Sequence, residues 1–237
     1  TALKLRVLDR QQCLSVETES NLIGKKLATR VQSAANVLEL RTRFLFTYLA
    51  NTIQKGSRKI PYSLVTALDF PSFGLAPTSP NQEPPPIVLN QWAAQDLEAR
   101  PGNLLEAEYY VWAEQGRLLT RSASFRLSQV VSMDGPMVDR DLAPAYPGIT
   151  ESRTLVDWDP PFPMELGSIR PRDEDYWEEY RTTPKAFIPL KVGQELWRST
   201  VFTAPLESMH DLNSYASGTP ATDGKRVAGN QLDPMIK

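Results

Sequence analysis

The chain holds one cysteine, Cys13, and one histidine, His210. A lone cysteine excludes an intrachain disulfide and any multi-cysteine metal centre. His210 is the sole candidate for the base of a Ser-His-Asp triad. It lies in a polar, turn-rich tail, where histidine is ordinarily solvated. Ser63 and Ser124 lack the Gly-x-Ser-x-Gly setting of a strained nucleophile turn. Gly56, Gly102 and Gly116 stand alone, so no glycine-rich loop cradles a phosphate. No apolar run reaches the ~18 residues that a membrane-spanning helix needs. No secretory signal pattern opens the chain, and Thr1 in place of Met suggests a processed or excised piece. Charge of one sign is also lacking: 26 basic side chains face 28 acidic ones, for a net charge of −2. Nucleic-acid binders carry a basic excess, so that class is not supported. No metal, nucleotide or other cofactor is expected from these absences, and no catalytic residue.

What is present is a core-forming composition. The 237 residues are 41% apolar, enough for one large domain or two small ones. Ser20 or Asn21 reads as the N-cap of a helix to about Leu40. Its stripe of Leu27, Val31, Ala34 and Leu38 predicts a core face. Arg43–Ile53 and Ile60–Phe70 read as strands joined at Lys55-Gly-Ser-Arg58 into a hairpin. Pro61 predicts an edge position or a bulge. Pro71–Pro86 holds six prolines and reads as a linker. A compact unit follows: a buried strand at Ile87–Leu89, a helix capped by Asn90 and ending near Pro101-Gly102, and a strand at Leu104–Trp112. After a turn at Glu114–Gly116, strands are expected at Arg117–Arg121 and Ser124–Val131. Four short strands with tight turns suggest a small barrel or sandwich. Met133–Arg170 is irregular and rich in proline and aspartate. Then come an acidic aromatic helix from Pro171, a strand at Phe187–Leu190 and a short helix at Gly193–Arg198. Ser214–Lys237 is polar and aperiodic, and is expected to be flexible.

Two constellations bear on chemistry. Asp157-Trp-Asp159 and Asp173-Glu-Asp175 offer carboxylates for a calcium site or a glycosidase pair. Neither has the spacing of an EF-hand loop. Acids at 173–175 also complement a helix N-terminus, so capping and solvation account for them as well. Tyr176, Trp177 and Tyr180 share one helical face. Such a face can bind sugars or cations, but more often it packs the helix onto a neighbour, here with Glu174 and Glu178 in water. Thr183-Pro184 is expected to end the helix.

Several blocks resemble one family in order and spacing. They are Glu17–Arg30, Thr47–Asn51, Pro61–Asp69, Ile87–Leu97 with Gly102, Asp157-Trp-Asp-Pro-Pro-Phe162, and above all Pro171–Trp197. Together they cover roughly residues 15–198 and are similar to the extracytoplasmic region of FtsX-like ABC transporter permeases, the class that includes MacB-type and lipoprotein-releasing permeases. After Gln194–Ser199 the family pattern is lost, at Thr200-Val-Phe-Thr-Ala-Pro-Leu-Glu207.

The resemblance implies an α+β fold: a porter-like helix-plus-hairpin α/β domain with an inserted small β-barrel-like unit. Residues 1–83 would open the α/β domain, 84–133 form the inserted unit, 134–200 complete the domain, and 201–237 form an atypical tail. It also implies a non-catalytic role on the periplasmic face of the inner membrane. The domain would pass motion to a substrate or partner protein, and ATP would be hydrolysed by a separate ABC ATPase subunit reached through transmembrane helices. Two other readings stay open: a free carbohydrate- or peptide-binding module using Tyr176, Trp177 and Tyr180, and a carboxylate-dependent hydrolase.

Overall fold

The computed structural model describes residues 3–9, 11, 13–18, 23, 25–77, 82–112, 117–135, 137–146, 148–160 and 162–198. His210, the turn at 114–116 and the tail beyond 198 lie outside the described residues. In chain order the elements are β1 (Leu3–Leu8), β2 (Cys13–Thr18), α1 (Lys25–Val37), β3 (Leu45–Lys55), β4 (Arg58–Leu68), β5 (Pro86–Asn90), α2 (Gln91–Asp96), β6 (Leu104–Trp112), β7 (Leu118–Val131), α3 (Pro171–Tyr180), β8 (Ala186–Pro189) and α4 (Leu190–Arg198).

Six strands close into a barrel in the order β3-β4-β8-β5-β7-β6. β4 runs parallel to β8 and β5 parallel to β7, while the other seams are antiparallel. β1 and β2 form a separate two-stranded sheet. The fold is therefore mostly β, and the expectation of a porter-like helix-plus-hairpin domain is corrected. The inserted β unit is corrected with it. β6 pairs directly with β3 through Thr52↔Glu108, Ile53↔Ala107 and Gln54↔Glu106. β5 is joined to β4 through β8. Ile87–Val131 thus supplies half of a shared barrel rather than a self-contained one. The reason is physical: a four-strand unit would leave its outer strands unpaired, and closure removes those edges.

Alternation fills the barrel. Val65 and Ala67 of β4, Ile87 and Leu89 of β5, Leu105 and Ala107 of β6, Phe125 and Leu127 of β7, and Ala186 and Ile188 of β8 point inward and are buried. Period-two side chains make this possible on every strand. Trp197 of α4 plugs the barrel against Phe46, Tyr48 and Tyr109. Outward residues of the same strands build two more cores. Leu49, Tyr62 and Leu64 lie under the irregular 143–164 segment, with Trp158 and Trp177. Leu68, Val88 and Phe187 pack with Phe70, Leu75 and Met137. Covered on both faces, Ile60–Leu68 is a continuous buried run.

Several local expectations change. β7 is one strand rather than two, because β6 pairs with it from Leu104↔Arg126 to Trp112↔Leu118 without a break. The stripe of α1 is not a core face: Ala34 and Leu38 are exposed and Leu27 and Val31 half-buried. The β1–β2 hairpin was not anticipated. Its charge-interrupted sequence hides a five-member apolar face, Leu3, Leu5, Val7, Leu14 and Val16. Four of these are exposed or half-exposed, Leu5 by 68% and Val7 by 65%. Arg6, on the opposite face, ties the hairpin down by bonding Glu17, Asp141 and the Ala143 carbonyl.

α4 approaches β4 so closely that a Cβ on Gly193 would lie 2.3 Å from the Ala67 Cβ. Gly193→Ala gains about 1 kcal/mol of helix propensity but overpacks a filled barrel end, at a cost of about 1–3 kcal/mol. A net loss of stability is expected in urea denaturation. Adding Ala67→Gly should recover part of it; a double variant no better than the single one would mean that the contact is not limiting.

Candidate functional site

Local chemistry fixes α3. Pro171 occupies its first turn, and the Asp173 carboxylate accepts the Arg170 backbone N–H at 2.9 Å. The helix stops at Tyr180, before Thr183-Pro184. Arg181 turns the chain at φ +55, and its N–H donates to the Trp177 carbonyl at 3.0 Å. Its guanidinium then lies 4.6 Å over the Trp177 ring and donates to the Ser152 and Thr150 carbonyls at 2.7 and 3.1 Å.

The three aromatic residues singled out from the sequence part company. Trp177 is buried, edge-on to Trp158 at 4.8 Å, with its indole N–H on the Ser152 carbonyl. Tyr176 faces the other way, onto Trp92 of α2 at 4.7 Å. Its hydroxyl donates to the Thr183 carbonyl and accepts from the Asn90 amide at 2.9 Å. Asn90 also caps α2 through the Ala93 N–H. Tyr180 is half-buried, 5.0 Å from Tyr176. Glu178 faces water as anticipated, whereas Glu174 does not: its carboxylate accepts the Leu155 and Val156 N–H groups at 2.8 and 3.2 Å.

Beside Tyr176 lies an ion cluster that sequence reading missed. Arg170 donates to Asp173 through Nε and one terminal nitrogen, both at 2.7 Å, and to Asp96 of α2 at 2.5 and 3.2 Å. Arg172 also reaches Asp96. Asp96 and Asp173 are buried, and Arg170 is held still more firmly protonated, first by its bonds to Asp173. Lys185, 3% exposed, completes the group with its ammonium 4.9 Å from the Trp92 ring and 4.6 Å from that of Tyr176. Burial pushes the Lys185 amine down to about 8, against the opposing pull of Asp173 and Asp96. A signal for this residue was present: Lys185 interrupts the apolar run Pro184–Pro189. Asp96 and Arg170, 74 positions apart in sequence, gave none.

Asp157, Asp159 and Asp175 are exposed and lie apart from this cluster. Among the described residues, no group of three or more His, Cys, Asp or Glu side chains is placed to hold a metal ion. A polar groove of about 610 Å³ runs over the outer wall of β3, β4 and β6, bounded by Asp96, Glu165 and Arg170. No described helix is long and apolar enough to cross a membrane. Compared with models of known protein families and with curated protein sequences, the chain matches none.

The cluster gives a signed pH prediction. Folded Lys185 releases its proton near pH 8, whereas the unfolded chain holds it to about 10.5. Between those values the unfolded state binds more protons, so stability rises with pH, by at most ~3 kcal/mol. Burial raises Tyr48, Tyr146 and Tyr176 above the ordinary tyrosine value of 10.0. Above pH 10 the unfolded chain therefore loses tyrosine protons first, and stability falls. The melting temperature should peak between about pH 8 and 10, and Lys185→Met should flatten the rising limb. A Lys185→Met profile parallel to the parent's would show that the amine is not titrating there.

Substitutions in α3 separate packing from solvation. Trp177→Ala should cost about 3–5 kcal/mol in urea denaturation. Glu174→Ala, which orphans two backbone N–H groups, should cost about 1–3 kcal/mol, and Glu178→Ala less than about 0.5 kcal/mol. Equal losses for the two glutamates would contradict the asymmetry seen around the helix.

Proposed function

We propose that this chain is a non-catalytic extracytoplasmic domain of an FtsX-like ABC transporter permease, which contacts a partner or substrate and passes motion to it. The observation that carries the reading is the outward apolar face of the β1–β2 hairpin, with Leu5 and Val7 more than half exposed. Contiguous exposed apolar surface marks an interaction site. Val37 at the end of α1, and Leu38 and Leu40 just after it, are also exposed, by 83%, 66% and 50%. The family rests, in this reading, on the order of blocks from Glu17 to Trp197, which resembles this permease class. In this reading the domain lies on the periplasmic face of the inner membrane. Transmembrane helices of the full-length product connect it to an ABC ATPase. The free binding-module reading loses its proposed face, because Tyr176 and Trp177 are buried. The hydrolase reading is weakened by Asp173, whose carboxylate is committed to Arg170.

The test uses the full-length gene product in its native membrane. It should co-purify with an ABC ATPase, and Leu5→Ser/Val7→Ser should lower coupled ATP turnover severalfold. The melting temperature should move by no more than a few degrees, since both side chains already face water. An ATPase that is not retained, or turnover unchanged by the double substitution, would remove the proposal.

A further inference from the structure

The outer wall of the barrel carries an irregularity that the core does not require. The β3–β4 ladder runs through Ala50↔Ser63 and Thr52↔Pro61, and between them Tyr62 sits at φ +42. A tyrosine in the left-handed region in mid-strand is strained, and such strain collects at functional positions. Asn51, Pro61 and Tyr62, the residues of this irregularity, all line the polar groove. The Tyr62 hydroxyl accepts the Glu165 N–H at 2.5 Å, which holds the 162–170 segment over the groove as its upper rim.

The groove is electrically balanced. Arg58, Lys59 and Arg170 line it together with Asp96, Glu108 and Glu165. Half of these charges, Arg58, Asp96 and Arg170, are already in ion pairs. Arg58 pairs with Glu98 at 2.6 Å, and Glu108 accepts the Thr52 hydroxyl at 2.9 Å. Arg170 spends four of its five N–H donors on Asp96 and Asp173 and keeps one. With three basic and three acidic side chains lining it, the groove offers a polyanion or a polycation no net opposite charge. The floor also offers a flat aromatic surface: half-exposed Tyr110, backed by Phe162 at 5.7 Å. Burial raises the Tyr110 hydroxyl above its ordinary value, with Tyr62, Glu165 and Glu108 adding to the effect, so it is a neutral donor among acceptors. An extended peptide would need a free strand edge or an apolar anchor pocket. The closed barrel has no edge at this wall, and Ile53 and Val111 turn inward.

We infer that this groove binds a neutral oligosaccharide, stacked on Tyr110 and hydrogen-bonded by Asn51, Glu108 and Arg170. Planar amide, carboxylate and guanidinium groups pair with vicinal hydroxyls, and the C–H face of a sugar ring covers an aromatic face. The volume of about 610 Å³ holds a few sugar rings and lies within the usual span of ligand sites. This inference is independent of the transmission reading, whose test is ATP turnover.

The experiment titrates the 237-residue chain with cellotetraose, maltotetraose and chitotetraose by calorimetry, and maps backbone amide shifts. At least one sugar should saturate, with shifts confined to β3, β4, β6 and the 162–170 segment. Tyr110→Ala should weaken binding at least about tenfold. Thr120→Arg, at the exposed lip of the groove, should do the same without entering a core, and it stands in if Tyr110→Ala fails to fold. Glu178→Ala, on the far side of α3, should bind as the parent does. The inference is overturned if none of the three sugars saturates by ~20 mM. It is equally overturned if a sulfated heparin tetrasaccharide displaces the neutral sugar, or if Thr120→Arg leaves the affinity unchanged.

Discussion

Two buried carboxylates, Asp96 and Asp173, hold this molecule to one arrangement. An unpaired charge in such a place would cost several kcal/mol, so each must find a cation. Arg170 answers both at once and thereby fastens α2 to α3. Lys185 stands a few residues beyond α3, at the mouth of β8. Its backbone N–H bonds the Leu64 carbonyl, and its own carbonyl takes the Asn90 N–H. The ion cluster thus delivers β8 into the gap between β4 and β5. Barrel closure, the burial of Phe187 and the seating of Trp197 all follow from that delivery.

The same segment contributes to all three cores, as β4 also does. Trp177 enters the outer core under residues 143–164, Ile188 the barrel, and Phe187 the core beside Met137. Residues 171–198 form a bracket whose successive side chains point into different compartments. Packing of this kind leaves little room for one compartment to shift independently of the others. Close packing of the interior gives that coupling its stiffness.

The sequence showed its local signals plainly. The hairpin at Gly56, the Asn90 cap and the Pro171 helix start each rest on residues a few positions apart, and each appears where periodicity and turn chemistry place it. The signature helix was also visible, though Tyr176 and Trp177 proved to face different neighbours. What could not be read was long-range pairing. Nothing in Thr52 or Glu108 announces that β3 and β6 are adjacent, so the barrel was divided into two units. The family resemblance strengthened that division. The β1–β2 hairpin escaped because its apolar residues alternate with charges and cover no core of their own. The ion cluster escaped because its members lie on α2 and α3 and in the chain just before α3 and β8, and only the Lys185 interruption of an apolar run hinted at it.

β8 is a short strand made late. Its four residues pair with Val65–Leu68 and with Val88 and Leu89, stretches synthesised about a hundred positions earlier. Until residues 186–189 emerge, β4 and β5 are open edges of an incomplete sheet, both apolar and both rich in β-branched side chains. Exposed edges of that kind invite pairing with other chains. Contacts between residues so far apart in sequence also form slowly. A nascent chain of this protein therefore passes through a long interval in which its most adhesive surfaces are bare. Any truncation upstream of β8 would leave it in that state permanently.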